Sequence, residues 1–198
     1  MSPAASNSDP MTAALIATAL RGDHDNLREL IAAGADINGR DKFGDPVLVA
    51  VLSEFSAQPA PHRYDTVREL LRLGADPRLL GDERAGPLCS PMWDMDTDML
   101  RLLLDAGALP NHEAGHLPSE SFYDLAVFDY GHEVWSMGNW PEEPSAADRA
   151  DPDAWLRFLD SMAVKHGRRR PDHLQLLRDR GGKTAEELHA AGQWPAGT

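Results

Sequence analysis

The sequence predicts an all-α chain: a solenoid of about four to five helix–turn–helix units with a degenerate, insertion-bearing C-terminal part. Three observations predict it. Within Leu15–Leu48, Leu15, Ala17 and Ala19–Leu20 line one side of a first helix, and Leu27, Leu30 and Ile31 one side of a second. Those spacings are amphipathic, and neither helix is long enough to stand alone, so the pair must stack on copies of itself. The copies are present. The helix end LRELIAAGADIN (Leu27–Asn38) returns as VRELLRLGADPR (Val67–Arg78), as LRLLLDAGALPN (Leu100–Asn111) and, loosely, as LQLLRDRGGKT (Leu174–Thr184). The stop glycines are Gly34, Gly74, Gly107 and Gly181. The third follows the second by 33 residues, the first step is 33 plus an insertion of 7, and the last is 74.

In chain order, residues 1–10 (MSPAASNSDP) read as a disordered leader, and residues 11–133 as repeats. In the first repeat Asp25 or Asn26 can cap the second helix, and Gly34 ends it. In the second, helices are expected over Val47–Phe55 and Asp65–Leu73, and the prolines of SAQPAPHRY (Ser56–Tyr64) make the insertion a loop. The third is compact, but Pro91 and Met92 predict a short or bent first helix, with Trp93, Asp94, Asp96 and Asp98 near its exposed end. The fourth opens with SFYDLAVFDYGHE (Ser121–Glu133) and then breaks. Residues 134–153, rich in Pro, Asp and Glu, read as a surface loop whose Trp135 and Trp140 either pack on the core or project to a partner. Residues 154–198 read as a modified terminal repeat and cap, with Pro171–Asp172 starting one helix and a Thr184/Glu187 capping box starting the last.

By the quoted repeat ends and their period, the chain resembles an ankyrin-repeat protein, from about Met11 to Gly131. The family's TPLH element survives only as DPVL (Asp45–Leu48) and GPLC (Gly86–Cys89). The resemblance implies protein binding on a concave surface of hairpin tips and first helices. Carried onto this chain, it names Phe43, Glu54, Trp93, Asp94, Asp96, Asp129 and Tyr130 as partner-binding residues, with Trp135 from the loop as a further one.

Charge narrows the partner. Thirty-two acidic against nineteen basic residues give a formal net charge of −13, which argues against nucleic acid and anionic membranes. Lys165–Arg180 is locally +4, so the remainder sums to −17, and such a surface suits a basic protein. No apolar run is long enough to span a bilayer, and the leader has no signal-peptide pattern. Cys89 is the only cysteine, so an internal disulfide framework and a thiolate zinc cluster are excluded. Together these features point to the cytoplasm. Small acidic ankyrin proteins of this kind look like bacterial immunity proteins encoded beside toxins, and sixteen Arg against three Lys fits a GC-rich bacterial genome. A regulatory adaptor and a metallohydrolase are the alternatives.

The metallohydrolase alternative rests on His112-Glu113-Ala114-Gly115-His116, a literal HExxH. That chemistry needs both imidazoles on one helical face. Here the motif follows Gly107 and Pro110, contains Gly115 and precedes Pro118, so a hairpin loop is expected. Gly181-Gly182-Lys183-Thr184 resembles the tail of a phosphate-binding loop, but Leu177 stands where its first glycine belongs. His24 and His132 are expected in inter-helix turns, and Cys89 as a buried thiol. No catalytic pair, cofactor site or metal site is expected.

Overall fold

A computed structural model describes residues 9–82, 84–112, 119–136 and 139–193. The described residues form helices and turns with no strand, apart from an isolated antiparallel bridge between Arg40 and Pro46. They divide into two compact units, Met1–Leu109 and Pro110–Thr198, so the division falls inside the stretch 11–133 grouped above as repeats.

The N-terminal unit is three helix pairs: α1 (Pro10–Leu20) with α2 (His24–Ala32), α3 (Val47–Ala57) with α4 (Arg63–Arg72), and α5 (Cys89–Trp93) with α6 (Thr97–Asp105). Asp9 caps α1 and Pro10 occupies its first turn, where a missing N–H costs nothing. The helix therefore begins inside the stretch assigned above to the leader. Asp23 caps α2 by accepting from Asn26 N at 3.2 Å, in place of the expected Asp25 or Asn26. Each second helix then ends in the same turn. Gly34, Gly74 and Gly107 have φ of 99°, 101° and 103°, a left-handed conformation that only glycine adopts without strain. The next residue (Ala35, Ala75 or Ala108) donates its N–H back across that turn to Leu30, Leu70 or Leu103, each at 3.0 Å.

Burial follows from position. Helix α3 packs against α1 on one side and α5 on the other, so its run VLVAVL is buried throughout, with Phe55 one turn further on. Helix α5 is only five residues long, as Pro91 predicts. Helices α2 and α4 are tied by charge. Glu69 on α4 is buried and accepts from Arg28 on α2 at 2.8 Å and from Arg72 at 2.6 and 2.7 Å. The Arg72 and Arg28 hydrogen bonds hold its carboxyl at about 2, against the burial that opposes them. Its contribution is complete above the ordinary carboxylate range and lost as pH falls toward 2. Both arginines are half exposed, so screening limits its size. Glu69→Gln is expected to cost about 1–2 kcal/mol at neutral pH and much less at pH 2.5, read from urea midpoints.

The C-terminal unit holds α7 (Phe122–Trp135), α8 (Pro152–Lys165), α9 (Asp172–Asp179) and α10 (Ala185–Ala190). Ser121 and Asp124 form a capping box on α7, and Thr184 and Glu187 form the one expected on α10. Helix α7 runs on to Trp135, two residues into the stretch read as loop, and His132 lies within it rather than in a turn. Trp140 covers Gly131, where an added Cβ would sit 3.6 Å from its ring, and lies 5.8, 5.5 and 6.1 Å from Trp135, Trp155 and Phe158. The insertion's tryptophans thus pack on the unit's own helices. Gly181 repeats the left-handed helix stop with φ 86°. Asn111 bridges to that turn, donating to the Gly181 carbonyl at 2.7 Å and accepting from Lys183 N at 2.9 Å. In the N-terminal unit Asn38 makes the equivalent pair with Gly74 and Asp76, at 3.2 and 2.8 Å.

Candidate functional site

Four of the eight partner-binding residues named from the sequence stand at the surface of the N-terminal unit. Glu54 is exposed on the last turns of α3, and its carboxylate makes no hydrogen bond or ion pair among the described residues. Helix α5 is stopped so early that Trp93, its last residue, stays 43% exposed, with Asp94 following it. Two contacts fix this pair beside α3: Ser56 Oγ donates to Asp94 at 2.8 Å, and the Ser53 and Ser90 hydroxyls lie 3.4 Å apart. Ser53, Glu54, Trp93 and Asp94 are thus exposed residues of two helices held side by side. Phe43 is 68% exposed at the tip of the turn that Asp41 builds by accepting from Phe43 N and Asp45 N. The Lys42 ammonium lies 4.7 Å from its ring.

Asp96 belongs to the fold instead. It caps α6, accepting from Met99 N at 3.0 Å, and receives the Tyr64 hydroxyl at 2.7 Å and the Arg63 guanidinium at 3.2 Å. A carboxylate that accepts from three donors on the second-helix side is committed to the fold.

The other three residues lie in the C-terminal unit, and two are corrected outright. Tyr130 is fully buried and donates its hydroxyl to the Arg169 carbonyl at 2.6 Å; burial pushes its phenol up to about 12. Trp135 is 4% exposed and packs between Trp140 and the edge of His166. Both are core aromatics because α7 is covered on more than one side. Asp129 is half-buried, with its Oδ2 enclosed and unpaired; burial raises its pKa, Glu133 adds to the rise, and His132 opposes it. Exposed Phe128 stands beside it in sequence.

Of the HExxH motif, His112 lies in a turn, and residues 113–118 lie outside the described residues. Among the described residues no group of three His, Cys, Asp or Glu side chains is placed to hold a metal. Cys89 is buried. In the Gly181–Thr184 segment the glycines stop α9, Lys183 Nζ donates to Gln193, and Thr184 caps α10.

One feature of the C-terminal unit had no signal in the sequence. A groove of about 900 Å3 opens between α7, the segment leading into α8, and α10, with Tyr123, Val127 and Trp155 among its walls. Its residues come from three separate stretches, 119–127, 149–155 and 184–190, and no shared periodicity marks them.

A comparison with protein-family models found no match, and a comparison with curated proteins found none either. Among the described residues, no helix is long and apolar enough to cross a membrane.

Proposed function

We propose that the chain is an ankyrin-type binding module of the cytoplasm that captures a basic protein, and that it serves as the immunity protein of a bacterial toxin. The observation that carries the reading is the patch of Glu54, Trp93 and Asp94 on α3 and α5. An aromatic side chain left 43% exposed beside two carboxylates is a surface fit to bury a ring at its centre and meet cations at its rim. The recurring helix pairs, with their common glycine stops and the Asn38 and Asn111 bridges, support the ankyrin assignment. The net charge of −13 supports a basic partner, since opposite fields raise the rate of encounter. An inhibitor that must reach a toxin before its target benefits from that rate.

The test is purification from the native cell, identification of what co-elutes, and binding kinetics against salt. A basic partner is expected whose association slows as salt rises. Trp93→Ala is expected to weaken binding by about 2 kcal/mol or more, mainly through faster dissociation. Asp94→Asn retains an acceptor for Ser56 and should instead lower the association rate and its salt dependence. An acidic partner, or normal binding by both variants, would remove the basis of the proposal. A basic partner without toxic activity would favour the adaptor.

A further inference from the structure

The groove of the C-terminal unit combines an apolar wall with a surplus of negative charge. Tyr123, Val127, Pro152 and Trp155 supply the first; Asp151, Glu186 and Glu187 supply the second, with Arg149 the cation among the groove's lining residues. Arg149 is itself paired with Glu143 at 2.7 Å. The acids are not equally committed. Asp151 caps α8, and Asp124 closes the α7 capping box while also accepting from Ala185 N at 2.8 Å. Glu187 is held by Arg178 at 2.7 Å. Glu186, exposed on the first turn of α10, makes no hydrogen bond or ion pair among the described residues.

The same neighbourhood already displays the recognition chemistry. The Arg178 guanidinium lies 5.3 Å from the Tyr123 ring while donating to Asp153 at 2.9 Å and to Glu187 at 2.7 and 3.0 Å. A planar cation over an aromatic face, with its edge on carboxylates, is how arginine is held where water is partly excluded. Across the groove, Trp155 offers a second aromatic surface. It is half-buried and fixed by stacking on Phe158 at 5.2 Å and by the edge of Trp140 at 5.5 Å. A fixed indole costs little to order on binding.

We infer that this groove is a docking site for an arginine side chain presented by a polypeptide segment, its stem and flanking apolar residues on Trp155 and Val127 and its guanidinium at Glu186. The occupant follows from charge complementarity, because an anionic or purely apolar segment would leave the Glu186 carboxylate desolvated without a partner. The site does not depend on the α3–α5 patch.

The test titrates the 15N-labelled full chain with acetyl-Leu-Arg-Leu-amide and follows the Trp155 indole N–H. A saturable shift is expected, weakened about tenfold in Glu186→Gln, unchanged in Trp93→Ala, and absent with acetyl-Leu-Glu-Leu-amide. Failure of the toxin reading would leave this result standing, and the reverse also holds. No saturable shift, an equal shift with the glutamate peptide, or undiminished binding by Glu186→Gln would each overturn the inference. A Trp155 signal that moves with protein concentration alone would assign the groove to a second copy of the chain and overturn it as well.

Discussion

Leu103→Asp is expected to unfold the N-terminal unit at 25 °C. Leu103 lies on α6 with no exposed surface, and its carbonyl anchors the helix stop by accepting from Ala108 N at 3.0 Å. Truncating a buried leucine costs about 2–5 kcal/mol through lost transfer energy and the cavity left behind. An unpaired carboxylate at the same point adds several kcal/mol more, and the whole stability of a domain is about 5–15 kcal/mol. Arg101→Gln is the control, on the same helix and half exposed, with only an exposed Asp98 pair to lose; its midpoint should move by less than about 0.5 kcal/mol. Circular dichroism against urea reads both. A parent-like transition for Leu103→Asp would mean that the face assigned to α6 is not its core face.

That face was legible because its signal is local. Leu100, Leu103 and Leu104 stand at helical spacing before a glycine, and all three are buried. The Thr184/Glu187 box and the short helix at Pro91 were legible for the same reason: each is decided within four residues. Asp96 could have been placed correctly. Gly22-Asp23 and Met95-Asp96 stand at matching points four residues before Leu27 and Leu100. Both leading residues take positive φ, 69° and 51°, and both aspartates cap the helix that follows. Met95 hid the match, because a methionine does not announce a left-handed turn.

Tyr130 and Trp135 were illegible for a different reason. Their burial depends on Trp140 from the insertion itself and on His166 and the Arg169 carbonyl from beyond it. A helix covered on several faces loses the single apolar stripe by which inside and outside are told apart, so aromatics beside acids looked like a surface. Glu69 is the converse. Arg72 stands one helical turn from it in the sequence, but Arg28 is 41 positions away, and only the meeting of α2 with α4 turns a helix-surface pair into a buried three-residue link.

Acidification from pH 7 to pH 4.5 is expected to weaken the C-terminal unit through His173. This residue of α9 is 1% exposed, its ring centroid is 5.7 Å from that of Tyr130, and its Nε2 is enclosed with no hydrogen-bond partner. Burial, reinforced by the nearby Arg169 charge, lowers its pKa to about 4 from the ordinary 6.5. Between those values the unfolded chain binds a proton that the folded one refuses, so stability rises with pH across the window. The full penalty is about 3 kcal/mol, reached near pH 4, and it is absent above pH 6.5. The window lies mostly above that of the lowered carboxyls of the same unit, Glu142, Asp148 and Glu187, whose contributions are lost as pH falls below the ordinary carboxylate range. Glu69 loses its contribution only as pH falls toward 2, and the raised carboxyl of Asp129 acts in the opposite sense, easing as pH drops. His173→Leu removes the titrating group and the orphaned nitrogen at similar volume. Its denaturation midpoint should equal or exceed the parent's at pH 7 and should be nearly flat from pH 6.5 to 4.5, whereas the parent should lose about 2 kcal/mol or more over that range. Tryptophan fluorescence read in a Trp93→Phe background reports on this unit, where Trp135, Trp140 and Trp155 lie together. A parent as stable at pH 4.5 as at pH 7 would show that the imidazole reaches water and takes its proton in the folded state, and a slope that survives in His173→Leu would assign the acid sensitivity to other groups.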